Sequence, residues 1–188
     1  ATLDSPAYGL VEDIDALRNC FERVLRDYNE FHPAMDLVLF RDALLHVARI
    51  TRTIFQPGGH ILLVGVGGSG KQSLARLSTH ICGHALVRIC ITSSYGLGDF
   101  RLDLQSMLTR SGTKPEGIVF LFTDSQIIDE KFLVYLNDLL AGSIPDLFSK
   151  DERDNLASMV EGKAKAAGLP ADTASCWEYF LTQVRATL

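Results

Sequence analysis

Ile61-Leu62-Leu63-Val64-Gly65-Val66-Gly67-Gly68-Ser69-Gly70-Lys71-Gln72-Ser73 is the stretch on which the reading of this chain turns. Four apolar residues predict a buried strand. The glycine-rich run after them predicts a tight turn, and from Lys71 the apolar spacing of Leu74, Ala75 and Leu77 predicts a helix. Strand, glycine-rich turn and helix in that order make the setting of a phosphate loop. Glycines let consecutive backbone N–H groups face an anion, and the helix N-terminus adds partial positive charge. Gly65, Val66, Gly67, Gly68, Ser69 and Gly70 are the candidate cradle, with Lys71 as the point charge for the outer phosphates. One position departs from the usual pattern. Gln72 stands where a hydroxyl ordinarily reaches Mg²⁺, and Ser73, one place later, is the nearest hydroxyl. An ordinary glycine-rich turn would require neither the preceding strand nor the lysine, so the stretch reads as a nucleotide-phosphate site.

Upstream, beyond a lead-in at Asp4-Ser5-Pro6, Ile14, Leu17, Phe21, Val24 and Tyr28 recur at helical spacing, and His32-Pro33 ends that helix. A second helix is predicted to start near Asp36, with Phe40, Ala43, Leu44, Val47, Ile50 and Ile54 as its core stripe. Pro57-Gly58-Gly59 stops it.

Downstream of the loop, the helix reaches Ile81 and breaks at Gly83. Ala85–Thr92 reads as a second strand, Tyr95–Gly98 as a turn, and Asp99 as the cap of a helix burying Phe100, Leu104, Met107 and Leu108. His80, Cys82 and His84 have metal-ligand chemistry, but Gly83 separates them and no fourth ligand is nearby, which argues against zinc. Ser111–Gly117 reads as a loop and Ile118–Phe122 as a third strand, apolar throughout as buried parallel strands are. It runs into Thr123-Asp124-Ser125-Gln126. An acid at the end of such a strand is placed to hold Mg²⁺, with a second acid usually orienting water; here only Asp124 is present. Further helices are predicted over Ile128–Leu139, Lys150–Ala167 and, capped by Ser175-x-x-Glu178, through Trp177, Phe180 and Val184.

The chain has 188 residues, 47% of them hydrophobic, enough for one core and one domain. A net charge of −5 without a basic stripe argues against nucleic acid as a partner. No apolar run approaches the ~20 residues of a membrane helix, and no leader pattern is visible, so no membrane partner is expected. Four cysteines without paired spacing read as reduced thiols of a cytosolic protein. The first residue is Ala, which suggests a piece of a longer chain.

Gly65-Val-Gly-Gly-Ser-Gly-Lys-Gln-Ser-Leu74, Leu37-Val-Leu-Phe-Arg-Asp-Ala43, Phe122-Thr-Asp-Ser-Gln126, Asp129-Glu-Lys-Phe-Leu133 and Asn137–Phe148 together resemble the fourth AAA+ module of axonemal dynein heavy chains, outer-arm chains above all. The resemblance covers nearly the whole chain. It implies an α/β three-layer P-loop NTPase sandwich with a parallel sheet, truncated after the third core strand. Residues 1–188 would be a single partial large subdomain, with N-terminal helices over 1–57 and the phosphate-loop core over 58–188. The family's sensor strand, lid and arginine finger would lie beyond Leu188. By the same resemblance the module binds ATP or ADP with Mg²⁺ in a regulatory role, with the segment of Leu37 and Val38 covering the adenine. Ser73 and Asp124 would meet the metal. Its partners would be neighbouring modules of the same heavy chain, with microtubules reached only through the rest of the motor, in the axonemal cytoskeleton of a cilium or flagellum.

Two departures imply weak or absent hydrolysis. Gln72 replaces the hydroxyl, and one carboxylate serves two roles: either Asp124 holds the metal and Ser125 replaces the water-orienting acid, or Thr123 takes the metal position and Asp124 the other. Two alternatives stay open. A stand-alone P-loop phosphotransferase or GTPase is one, although no Asn-Lys-x-Asp guanine motif occurs. A nucleotide-free spacer of the ring is the other.

Overall fold

Asp13 starts the first helix in the computed structural model, which describes residues 10–114 and 116–188; the Asp4-Ser5-Pro6 lead-in lies outside them. Its carboxylate accepts the N–H groups of Asp15 (2.8 Å) and Ala16 (3.1 Å), two of the donors that a helix start leaves unpaired. The helix, α1, spans Ile14–Phe31 and ends before His32-Pro33. Asn29 then holds the turn: its side chain accepts the N–H of Met35 (2.8 Å) and donates to the Met35 carbonyl (3.2 Å).

The second helix, α2, is Arg41–Ile54, five residues later than Asp36. Residues 37–40 are extended, so alternate side chains face opposite ways. Leu39 goes into the core at 5% exposure, while Phe40, expected in the core stripe, is 60% exposed as the residue preceding the helix. Helix α3 is Lys71–Ile81, as expected. Phe21, Leu39, Leu44, Val47 and Leu77 close one apolar core among these three helices.

A left-handed Gly83 (φ 66°) turns the chain from α3 into β1, Ala85–Val87. This strand pairs in parallel with β2, Ile118–Phe120, in the register Ala85↔Ile118, and the ladder runs on through Leu121 N–H to the Val87 carbonyl (2.9 Å). These are the predicted second and third strands, each shorter than expected.

The predicted first strand is a correction. Ile61–Val64 forms no ladder, and Leu62 and Val64 are 87% and 85% exposed. Among the described residues the sheet therefore has two strands, not three. A strand requires a partner for its backbone groups as well as apolar side chains. Between residues 61–64 and β2 lies a cavity of about 1260 Å³ instead.

The second core packs α4 (Leu97–Thr113), α5 (Lys131–Leu140), α6 (Lys150–Ala166) and α7 (Thr173–Thr187) against the strands around Phe100, Leu104, Leu108, Phe132, Val160 and Phe180. Three local expectations are corrected. Gly96, not Asp99, precedes α4, and Asp99 reaches back to accept the Gly96 N–H at 2.8 Å. Ser111 and Gly112 are buried helix, not loop: Gly112 lies flat against Phe180, whose ring would be 2.2 Å from an added Cβ. Asp172, not Ser175, caps α7, accepting both the N–H (2.9 Å) and the hydroxyl (2.8 Å) of Ser175. Among the described residues no helix is long and apolar enough to cross a membrane.

Candidate functional site: a phosphate loop facing a lone acid

The loop between residue 64 and α3 is shaped by two left-handed glycines, Gly68 (φ 75°) and Gly70 (φ 77°), a backbone that side chains with a Cβ rarely adopt. Gly70 precedes α3 with no side-chain cap, and the first turn of α3 carries no acidic residue. The N–H groups of Lys71, Gln72 and Ser73 therefore lack helical partners, an anion-seeking helix start. The Lys71 ammonium folds back over the loop, donating to the carbonyls of Gly65 (2.6 Å) and Val66 (2.8 Å) and to the Ser69 hydroxyl (3.3 Å). The Val66 side chain points to solvent.

Asp124 arrives from the other core. It opens a 3-10 turn, Asp124–Gln126, just past β2, and is exposed. Asp124, Lys71, Gln72, Ser73, Ser69 and the glycines Gly65, Gly67, Gly68 and Gly70 line one side or another of the same cavity. The predicted cradle and the predicted acid are thus brought to one cleft. Leu37 and Val38 are not. Leu37 packs against the loop, 3.8 Å from where a Cβ on Gly70 would lie, and Val38 is 73% exposed outside the cleft. Arg18 Nε donates to the Leu39 carbonyl (3.3 Å), tying this segment to α1.

The donor chemistry present suits Mg²⁺, a hard cation that takes one or two protein oxygens and leaves the rest to phosphates and water. Asp124 and Ser73 supply such oxygens on the cleft. Among the described residues no group of three or more His, Cys, Asp or Glu could hold a metal alone. The His80, Cys82 and His84 side chains go separate ways. His80 packs edge-on against Tyr28 and His32, His84 Nδ1 lies 2.9 Å from the Cys82 carbonyl, and burial pushes the Cys82 thiol up to about 12.

A family model described as the P-loop containing dynein motor region D4 matches residues 35–188. The chain belongs to that dynein family. It is 50% identical over 187 residues to the dynein alpha chain of the flagellar outer arm of Chlamydomonas reinhardtii, and 47% identical over 183 residues to the beta chain of the same arm. Human dynein axonemal heavy chain 9 is 43% identical over 187 residues. These alignments cover 97–99% of this chain and 4% of each relative, so the chain spans a small part of the dynein heavy chains it matches.

One residue of this dynein site escaped sequence reasoning. Gln126, next to the acid, is buried at 7% exposure, where a glutamine in a polar run reads as turn surface. A local signal does exist: Thr123-x-x-Gln126 is a capping-box pattern, and Gln126 Oε1 accepts the Thr123 N–H at 2.8 Å, whereas its bond to the Ile89 carbonyl shows only beside the neighbouring strand.

Proposed function

We propose that this chain is a nucleotide-binding module of a dynein motor ring, the fourth AAA+ module, holding ATP or ADP with Mg²⁺ in a regulatory capacity and hydrolysing it weakly or not at all. The observation that carries the proposal is the convergence of the Lys71 loop and Asp124 on one cleft. On binding, the phosphates would take the Lys71 ammonium from the carbonyls of Gly65 and Val66 and accept the free N–H groups at the start of α3. Asp124 and Ser73 would hold the magnesium, which when bound neutralises phosphate charge. Val38 and Leu37 would approach the base by movement of the 37–40 segment.

Weak hydrolysis follows from what the cleft offers. Water must be oriented while the metal is held, and among the described residues Asp124 is the one acidic side chain lining it. Gln72 is exposed at the first turn of α3 and brings no hydroxyl. As part of a heavy chain, the module would form a partial large subdomain over 1–188, with helices over 1–57 and the phosphate-loop core over 58–188, in a three-layer parallel sandwich. Its contacts would be with neighbouring modules, and microtubules would be reached through the rest of the motor. The named relatives support a place in the axoneme.

Equilibrium titration with ADP and ATP tests the reading, followed by single-turnover hydrolysis. Saturable binding with hydrolysis far below the typical ~1–1000 s⁻¹ of enzymes is expected. Absence of binding would leave a structural spacer. Fast turnover abolished by Asp124→Asn would show that one acid suffices.

A further inference from the structure

We infer that Gln126 is the positioning residue that sets the Asp124 carboxylate in the cleft, by standing in for a rung of the β-sheet. The inference rests on the reading of Asp124 as a metal-holding acid.

In a parallel ladder the rungs advance two residues on each strand. The last direct rung here joins Leu121 N–H to the Val87 carbonyl at 2.9 Å. The next rung donated from the same strand would join Thr123 N–H to the Ile89 carbonyl. That bond is not made. The side-chain amide of Gln126 is spliced into it instead: Oε1 accepts the Thr123 N–H at 2.8 Å, and Nε2 donates to the Ile89 carbonyl at 2.7 Å. The Thr123 hydroxyl adds a third bond to Oε1, at 3.1 Å.

The consequence falls on the next residue. By spreading the strands one amide wide, Gln126 ends the sheet after Leu121 and turns the chain into the Asp124–Gln126 turn, closed by Gln126 N–H to the Thr123 carbonyl (2.9 Å) and Ile127 N–H to the Asp124 carbonyl (3.0 Å). Asp124 is thus fixed through its neighbour's backbone, and it remains an exposed residue lining the cleft. A buried amide without partners would be costly; this one has them on both sides, so the turn has one preferred geometry. An apolar residue of the same size could fill the space and could not bridge it.

Mg²⁺ titration of the ADP-loaded chain provides the test, alongside ADP affinity without metal. Gln126→Leu is expected to weaken Mg²⁺ binding by ~10–100-fold, the usual cost of losing a residue that orients a ligand, and to leave metal-free ADP affinity, which depends on the Lys71 loop, within about twofold. Unchanged Mg²⁺ affinity in Gln126→Leu, or equal loss of metal-free ADP binding, overturns the positioning role alone. If Asp124→Asn leaves Mg²⁺ affinity intact, the metal reading of Asp124 fails and takes the positioning role with it. A second measurement uses the unaltered chain: the Thr123 amide proton should exchange as slowly as that of Leu121. Exchange at the rate of an open loop overturns the spliced rung directly.

Discussion

The Lys71 ammonium lies 2.6 Å from the carbonyl oxygen of Gly65, six residues back in its own loop. The loop is held in its curved form by the charge proposed to meet the ligand. Lys71→Ala removes both the pin and the point charge. Charged hydrogen bonds contribute about 1.5–3 kcal/mol, so ADP affinity should fall by roughly ten- to a hundredfold in a calorimetric titration. Lys71→Arg should recover little, since a planar fork replaces a compact ammonium. ADP affinity equal to the parent's in Lys71→Ala would remove Lys71 from the site.

Gly112→Ala should destabilise the chain, although alanine is the better helix former by about 1 kcal/mol. The added methyl would meet Phe180 at 2.2 Å, and overpacking a filled core costs about 1–3 kcal/mol. A lower thermal midpoint for Gly112→Ala, largely restored by adding Phe180→Leu, is the expected pattern. An unchanged or raised midpoint would show that α7 can move away.

Residues 61–64 present unpaired backbone and the exposed side chains of Leu62 and Val64, as an unprotected sheet edge does. Concentration-dependent association of the chain is expected in sedimentation, with fast amide exchange over 61–66. Leu62→Lys with Val64→Lys should suppress it. Association of equal strength in the double variant would place the contact elsewhere.

Much of this was legible because it was local. The starts of α1 and α3, the end of α2 before Pro57-Gly58-Gly59 and the span of α6 follow from caps, breakers and helical periodicity, which act within a few residues. What escaped was relational. Phe40 and Leu39 are equally apolar, and the extended backbone before α2 decides which of them is buried. Gly112 reads as a loop residue until Phe180 lies on it. Ile61–Val64 has a strand's composition and no partner to make it one. In the site, the lysine and the acid announce themselves by motif, whereas Thr123-x-x-Gln126 signals only a turn cap, and the second bond of Gln126 shows only beside Ile89.

Two cap carboxylates give the chain an acid-side dependence. Glu152 is held below the usual carboxylate range by the Ser149 N–H and then by its hydroxyl, and Asp172 likewise by the Ser175 N–H and hydroxyl. A depressed folded-state pKa stabilises above the ordinary carboxylate value and loses that contribution as pH falls through the folded one. Thermal midpoints should therefore decline below about pH 4, and Asp172→Asn with Glu152→Gln should flatten the decline. An equally steep decline in the double variant would assign it to other carboxylates.

The phosphate loop belongs to the α1–α3 core and Asp124 to the strands of the α4–α7 core. The two cores meet at the Gly83 turn and at the edge-on packing of Phe55 against His84, whose ring covers Gly117. In mechanical terms, a ligand gripped as proposed, by Lys71 on one side and Asp124 on the other, would be a weld between two bodies. Its stiffness would add to theirs under tension, and force applied across the cleft would be borne by the ligand's own bonds to the protein, so bound lifetime would become a function of load.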